Sequence, residues 1–169
     1  FLDWMLSASS NAAASTVMQQ LLLMQHFGQA YPVDSATAEA YMKETGAAEL
    51  GRRLRAVMEA MSLQNGIESS RLRQGSFFTR VGKQRVSGTT SYGTPRSLAQ
   101  LLLRLESGTL VDAFSSRELK RRLYVTERRI RYASSPVLHD SAVYFKSGSW
   151  YACVPEEGFT CKKYHGNKR

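Results

Sequence analysis

Apolar residues recur every three to four positions through most of this chain and give way to alternation near its end, so the pattern predicts helices followed by a hairpin. From Ser10 to Phe27, Val17, Leu21, Leu22 and Met24 mark a mostly buried helix that Gly28 terminates. Tyr31-Pro32 and Asp34-Ser35 are turn and cap signals, and a short helical pattern runs from them through Tyr41 and Met42; the stretch 29–45 reads as an insertion. Leu50, Leu54, Val57, Met58 and Met61, with arginines opposite, predict an amphipathic helix from Ala47 to Leu63, ended by Asn65-Gly66. Residues 68–93 carry four glycines and many Ser and Thr, a long irregular segment of the kind that usually has a functional reason.

Thr94-Pro95 then supplies an N-cap and a proline at the first helical position, and Leu98, Leu101, Leu102 and Leu105 share one helix face up to Gly108. Ser115 with Glu118 forms a capping-box pattern for a further helix through Leu119 and Leu123 that fades near Thr126. Val143, Phe145 and Tyr151 predict a strand over Ser141 to Cys153, with Phe159 to His165 returning beside it. Helices followed by a hairpin imply an α+β domain with an antiparallel sheet flanked by helices. The 169 residues, 43% hydrophobic, suffice for one domain, and no internal repeat is visible.

Charge and cysteine content change this picture little. The net charge of +9 raises the question of an anionic partner. Yet the basic runs Arg52-Arg53-Arg55, Arg71-Arg73, Lys120-Arg121-Arg122 and Arg128-Arg129-Arg131 come with no recognition helix, zinc spacing or aromatic RNA-binding signature. They read as solvated faces, so no nucleic-acid partner is expected. No run of about eighteen apolar residues occurs, so no membrane span is expected. Cys153 and Cys161 bracket seven residues centred on Glu157 and should face each other across a hairpin, either as a disulfide or as two thiols. The chain starts at Phe1 without an initiator Met or leader pattern and stops in a polar, strand-like stretch, which reads as truncation at both ends.

Three short patterns carry candidate chemistry. Ser9-Ser10-Asn11 opens a buried helix and alone reads as a cap; Lys146-Ser147-Gly148 alone reads as a solvent-face lysine in an apolar strand. Their order is more specific. An S-x-N at a helix start, a helix introduced by residues 89–96, Thr-Thr-Ser-Tyr-Gly-Thr-Pro-Arg, and a later K-S-G with Ser149 after the glycine resemble the motif order of the serine β-lactamase and penicillin-binding D,D-peptidase superfamily, class A β-lactamases in particular. The resemblance implies a β-lactamase/transpeptidase-like fold and acyl transfer on an amide or β-lactam. It implies no metal or cofactor, and a secreted bacterial protein, periplasmic or extracellular.

By that resemblance Ser9 relays a proton, Lys146 sets the local positive potential, and Asn11, Ser147, Gly148 and Ser149 bind substrate, Ser149 through an oxyanion-hole N–H. Two departures qualify it. No lysine has a serine three residues before it, so the S-x-x-K nucleophile is absent and this polypeptide alone should be inert; the missing segment is expected upstream or as a separate chain. No Asp or Glu lies between Glu68 and Glu106, where class A enzymes keep a deacylating base; Ser76 falls near that position. An acyl-enzyme would then persist, the behaviour of penicillin-binding proteins more than of efficient β-lactamases. A non-catalytic cell-wall binding domain of the same fold is the alternative. The resemblance further implies that Lys146 points at the Ser9 hydroxyl, and that the Ser10–Phe27 helix carries exposed apolar surface where the nucleophile helix would pack.

Overall fold

The computed structural model describes residues 1–126, 131–146, 148, 151–154 and 160–163. Besides three 3₁₀ turns, these residues form seven α-helices and two short antiparallel ladders. In chain order they are α1 Leu2–Leu6, α2 Asn11–Phe27, α3 Ser35–Glu44, α4 Ala47–Gln64, β1 Leu72–Arg73, α5 Arg80–Arg85, β2 Tyr92–Gly93, α6 Pro95–Glu106, α7 Ala113–Tyr124, β3 Tyr151–Val154 and β4 Thr160–Lys163.

The core forms where α2, α3 and α4 meet. Met18, Leu22 and Leu23 of α2, Tyr41 of α3, and Leu50 and Leu54 of α4 pack together, and Phe77 and Val86 enter from the segment between α4 and α6. Leu22, Leu50 and Val86 are fully buried, each stabilising the fold by about 1.5–3 kcal/mol relative to exposure. The 29–45 stretch, expected as an insertion, thus contributes Tyr41 to the core, and the segment 68–93 is tied to it through two of its own apolar side chains.

Helix starts follow local chemistry closely. Ser10 accepts from the Ala13 N–H, Asp34 from Thr37, Thr79 from Gly82, Thr94 from Ser97 and Asp112 from Ser115. Backbone hydrogen bonds hold the Asp34 and Asp112 carboxyls below the ordinary carboxylate range. Their stabilisation is therefore present at neutral pH and lost as pH falls through the depressed values. Thr94 also bonds the buried Ser97 hydroxyl at 2.6 Å. Thr94→Ala should accordingly cost about 1–2 kcal/mol, read as a lowered urea midpoint at unchanged m-value.

Several expectations need correction. The α7 cap is Asp112, not Ser115: the aspartate carboxylate lies three residues earlier and takes the Ser115 N–H itself, so the Ser115–Glu118 pair sits inside the helix. The single flanked sheet is also absent among the described residues, where two separate two-stranded ladders stand instead. Residues 141–146 form no strand, because a strand needs a partner ladder, whereas the Ser141 N–H bonds to the Leu138 carbonyl at 3.0 Å and the Phe145 N–H to the Leu123 carbonyl of α7 at 3.1 Å. Lys146 therefore lies outside any strand, ahead of β3 in the chain. The hairpin itself holds: Cys153 stands opposite Cys161 in the β3–β4 register.

Candidate active site

Helices α1, α2 and α7 bring Ser9 and Lys146 together. Helix α1 ends at Leu6, the Ser10 N–H returns to the Trp4 carbonyl at 2.9 Å, and Ser9 adopts φ 58°, a left-handed conformation costly for a residue with a Cβ. That turn swings the chain from α1 into α2 and leaves the Ser9 side chain exposed at the junction. Such strain persists only where surrounding structure holds it, and it gathers at functional positions. Helix α1 in turn packs on α7, where Asp3 Oδ1 lies 3.0 Å from Arg122 Nε.

The other partner is aimed by the end of α7. The Phe145 N–H bonds to the Leu123 carbonyl, the Tyr144 ring lies 6.0 Å from that of Tyr124, and Lys120 Nζ sits 5.1 Å over Tyr144. With its two preceding residues so placed, Lys146 donates from Nζ to Ser9 Oγ at 2.5 Å, across 137 residues of sequence.

Burial pushes the Lys146 ammonium below the ordinary lysine value, although the residue as a whole stays solvent-exposed. Because folding disfavours the charged form, the folded chain gains stability as pH rises from the lowered value toward the unfolded one. Solvent contact shrinks that gain. In an NMR titration of the lysine side chains Lys146 should titrate before the solvated lysines; a midpoint at or above theirs would contradict the desolvated geometry.

Asn11 opens α2 with its amide exposed and without a hydrogen bond among the described residues, free to meet a ligand beside Ser9. Gly148 is exposed, and a Cβ built on it would meet nothing within 4 Å among the described residues. Ser147 and Ser149 lie outside the described residues. Ser76, near the position expected for a deacylating base, donates to the Phe77 carbonyl at 3.0 Å and brings no ionisable group.

Apolar exposure falls in a different place from the one expected. Helix α2 buries Met18, Leu22 and Leu23 and shows Met24, whereas Leu98, Leu102 and Leu103 of α6 are 46%, 58% and 68% exposed. The leucine face read from the α6 sequence therefore buries Leu105 and leaves much of its remainder at the surface.

Part of each basic run within the described residues meets a carboxylate, while Arg128 and Arg129 lie outside those residues. Arg52 and Arg53 meet Glu49, Arg71 meets Glu68, Lys120 meets Glu106, and Arg121 and Arg122 meet Glu118. Among the described residues no cluster of His, Cys, Asp or Glu is built to hold a metal, and no helix is long and apolar enough to cross a membrane. No protein-family model matches the chain, and no curated protein or solved structure matches it.

Proposed function

We propose that this chain is part of a β-lactamase/transpeptidase-like serine hydrolase that acts by acyl transfer on an amide or β-lactam, with its nucleophile supplied by polypeptide outside these 169 residues. The observation that carries the reading is the hydrogen bond from Lys146 Nζ to Ser9 Oγ. Two residues far apart in sequence meet with the chemistry that the motif order calls for.

Acyl transfer requires a proton to leave the attacking hydroxyl and a proton to reach the departing nitrogen. Lys146 donates to Ser9 Oγ, so the Ser9 proton is directed away from the lysine and is available to the leaving nitrogen of a bound substrate. The desolvated ammonium gives up its own proton more readily than a solvated lysine, so it can replace the one Ser9 releases. Asn11 is at hand to bond the substrate amide, and a substrate carboxylate would sit near the Lys146 charge. No carboxylate occurs between Glu68 and Glu106 to activate a deacylating water, which favours a penicillin-binding, D,D-peptidase-like enzyme located outside the cytoplasm.

A protein containing this chain together with an S-x-x-K segment, incubated with a fluorescent penicillin, should form an adduct that survives gel electrophoresis. Rapid turnover would overturn the deacylation argument alone. Absence of any adduct despite an S-x-x-K serine would replace the enzyme by a non-catalytic cell-wall binding domain.

A further inference from the structure

A concavity of about 570 Å³ lies between α6, α7 and residues 142–144, and neither Ser9, Asn11 nor Lys146 lines it. Its size is that of a small-molecule site. The apolar part of its wall comes from Leu105, Ala113 and Ala142, and the rings of Tyr124 and Tyr144 stand 6.0 Å apart beside it. Three cations, Arg117, Lys120 and Arg121, come from successive turns of α7, because positions three and four apart share a helix face. Glu106 is the one carboxylate in the lining, and it is taken up by Lys120 at 3.0 Å. That contact holds the Lys120 ammonium above its ordinary range, so it stays charged at neutral pH. Arg121 reaches Glu118 only at 3.4 Å, and Arg117 makes no ion pair among the described residues.

Three cations against one carboxylate leave an excess of positive charge over an apolar and aromatic hollow. A neutral apolar ligand would leave that charge unanswered, and a small inorganic anion would leave the rings and the leucine floor unfilled. A flat ring carrying a carboxylate satisfies both: the ring lies against Tyr144 and Leu105, and the carboxylate takes the planar guanidinium fork of Arg117. We propose that the concavity between α6, α7 and Tyr144 binds a small aromatic carboxylate, held at its charged end by Arg117 and Arg121. The site is independent of the acyl-transfer reading, since binding there needs neither the nucleophile nor the Lys146 amine.

The 169-residue chain titrated with 2-naphthoate in ligand-observed NMR should give saturable binding at least tenfold tighter than 2-naphthamide, which has the same rings and no charge. Arg117→Gln and Tyr144→Leu should each weaken naphthoate at least fivefold. Arg117→Lys, which keeps the charge and loses the fork, should fall between Arg117→Gln and the parent. Leu102→Ser/Leu103→Ser, on the exposed part of α6 outside the hollow, should leave binding unchanged, as should Lys146→Ala. Circular dichroism melts establish that each variant is folded, and Arg117→Lys serves should Arg117→Gln unfold. Equal affinity for naphthoate and naphthamide, or loss of binding in the α6 double variant but not in the Arg117 variants, would overturn the proposal.

Discussion

Replacing Lys146 by alanine is expected to slow acylation by a labelled penicillin about 10²–10⁴-fold, in protein that also carries the nucleophile, with little change in melting temperature. That is about 3–5 kcal/mol of transition-state stabilisation. On the acyl-transfer reading proposed above, the expectation rests on the 2.5 Å hydrogen bond to Ser9: without the ammonium, the Ser9 hydroxyl would lose both its orientation and the proposed source of a replacement proton. Stability should hardly respond, because Lys146 is solvent-exposed and folding already disfavours its charged form. Ser9→Ala should fall to a similar rate, and the double variant should be little slower than either single one, since the two groups act as a unit. Ser9→Gly separates chemistry from strain. It removes the hydroxyl as alanine does, but glycine accepts φ 58° at no steric cost, so it should be at least as stable as Ser9→Ala while equally slow. Acylation of Lys146→Ala at the parent rate would remove the lysine from the mechanism.

Gly51→Ala is expected to destabilise the chain by about 1–3 kcal/mol, although glycine to alanine inside a helix ordinarily stabilises by about 0.5–1 kcal/mol. The reversal comes from Ser87. A Cβ at Gly51 would overlap the Ser87 carbonyl oxygen and stand 3.0 Å from its carbon. The segment cannot simply back away: the Ser87 N–H is bonded to the Ala47 carbonyl at 3.0 Å, and the preceding Val86 is fully buried in the core. Relief must break that hydrogen bond or withdraw Val86. Gly46→Ala is the control, because an added methyl there meets nothing within 4 Å and Gly46 only precedes the helix. Urea unfolding of the two variants side by side should show a much lower midpoint for Gly51→Ala than for Gly46→Ala. Near-equal midpoints would mean that the 68–93 segment does not press on α4 as described.

How far the residues spoke for themselves differs from one element to the next. The helices α2, α3, α4 and α6 were legible because their signals are local: apolar spacing of three and four, a cap side chain three residues from its target N–H at the start of α2, α3 and α6, and a glycine just beyond α2, α4 and α6. Gly28, Gly66 and Gly108 do take positive φ at or just beyond helix ends. The cysteine register was legible for a similar reason, since a short symmetric connection leaves an antiparallel pair few alternatives. The start of α7 was misjudged because two cap patterns overlap, and the stronger acceptor, Asp112, lies outside the Ser115–Glu118 pattern. Helix α5 and the β1–β2 pair were missed because a six-residue helix and a two-residue ladder offer too few positions for a period to show.

The strand expected around Lys146 failed for a deeper reason. Alternation measures how well a segment would suit a sheet, but a strand exists only where another strand lies alongside, and that depends on chain far away. The candidate site divides along the same line. Residue types and motif order in the sequence singled out Ser9, Asn11 and Lys146, because short motifs survive in one dimension. That Lys146 Nζ reaches Ser9 Oγ was decided by tertiary structure: by α1 packing on α7, by the positive φ at Ser9, and by the Phe145–Leu123 bond that aims the chain. The hollow beside Tyr144 was invisible for the same reason, as its cations are one helix face in the sequence and its opposite wall arrives from more than twenty residues away. Local hydrogen bonds and periodicity are written in neighbouring residues; which surfaces meet is settled only by the packing of the whole chain.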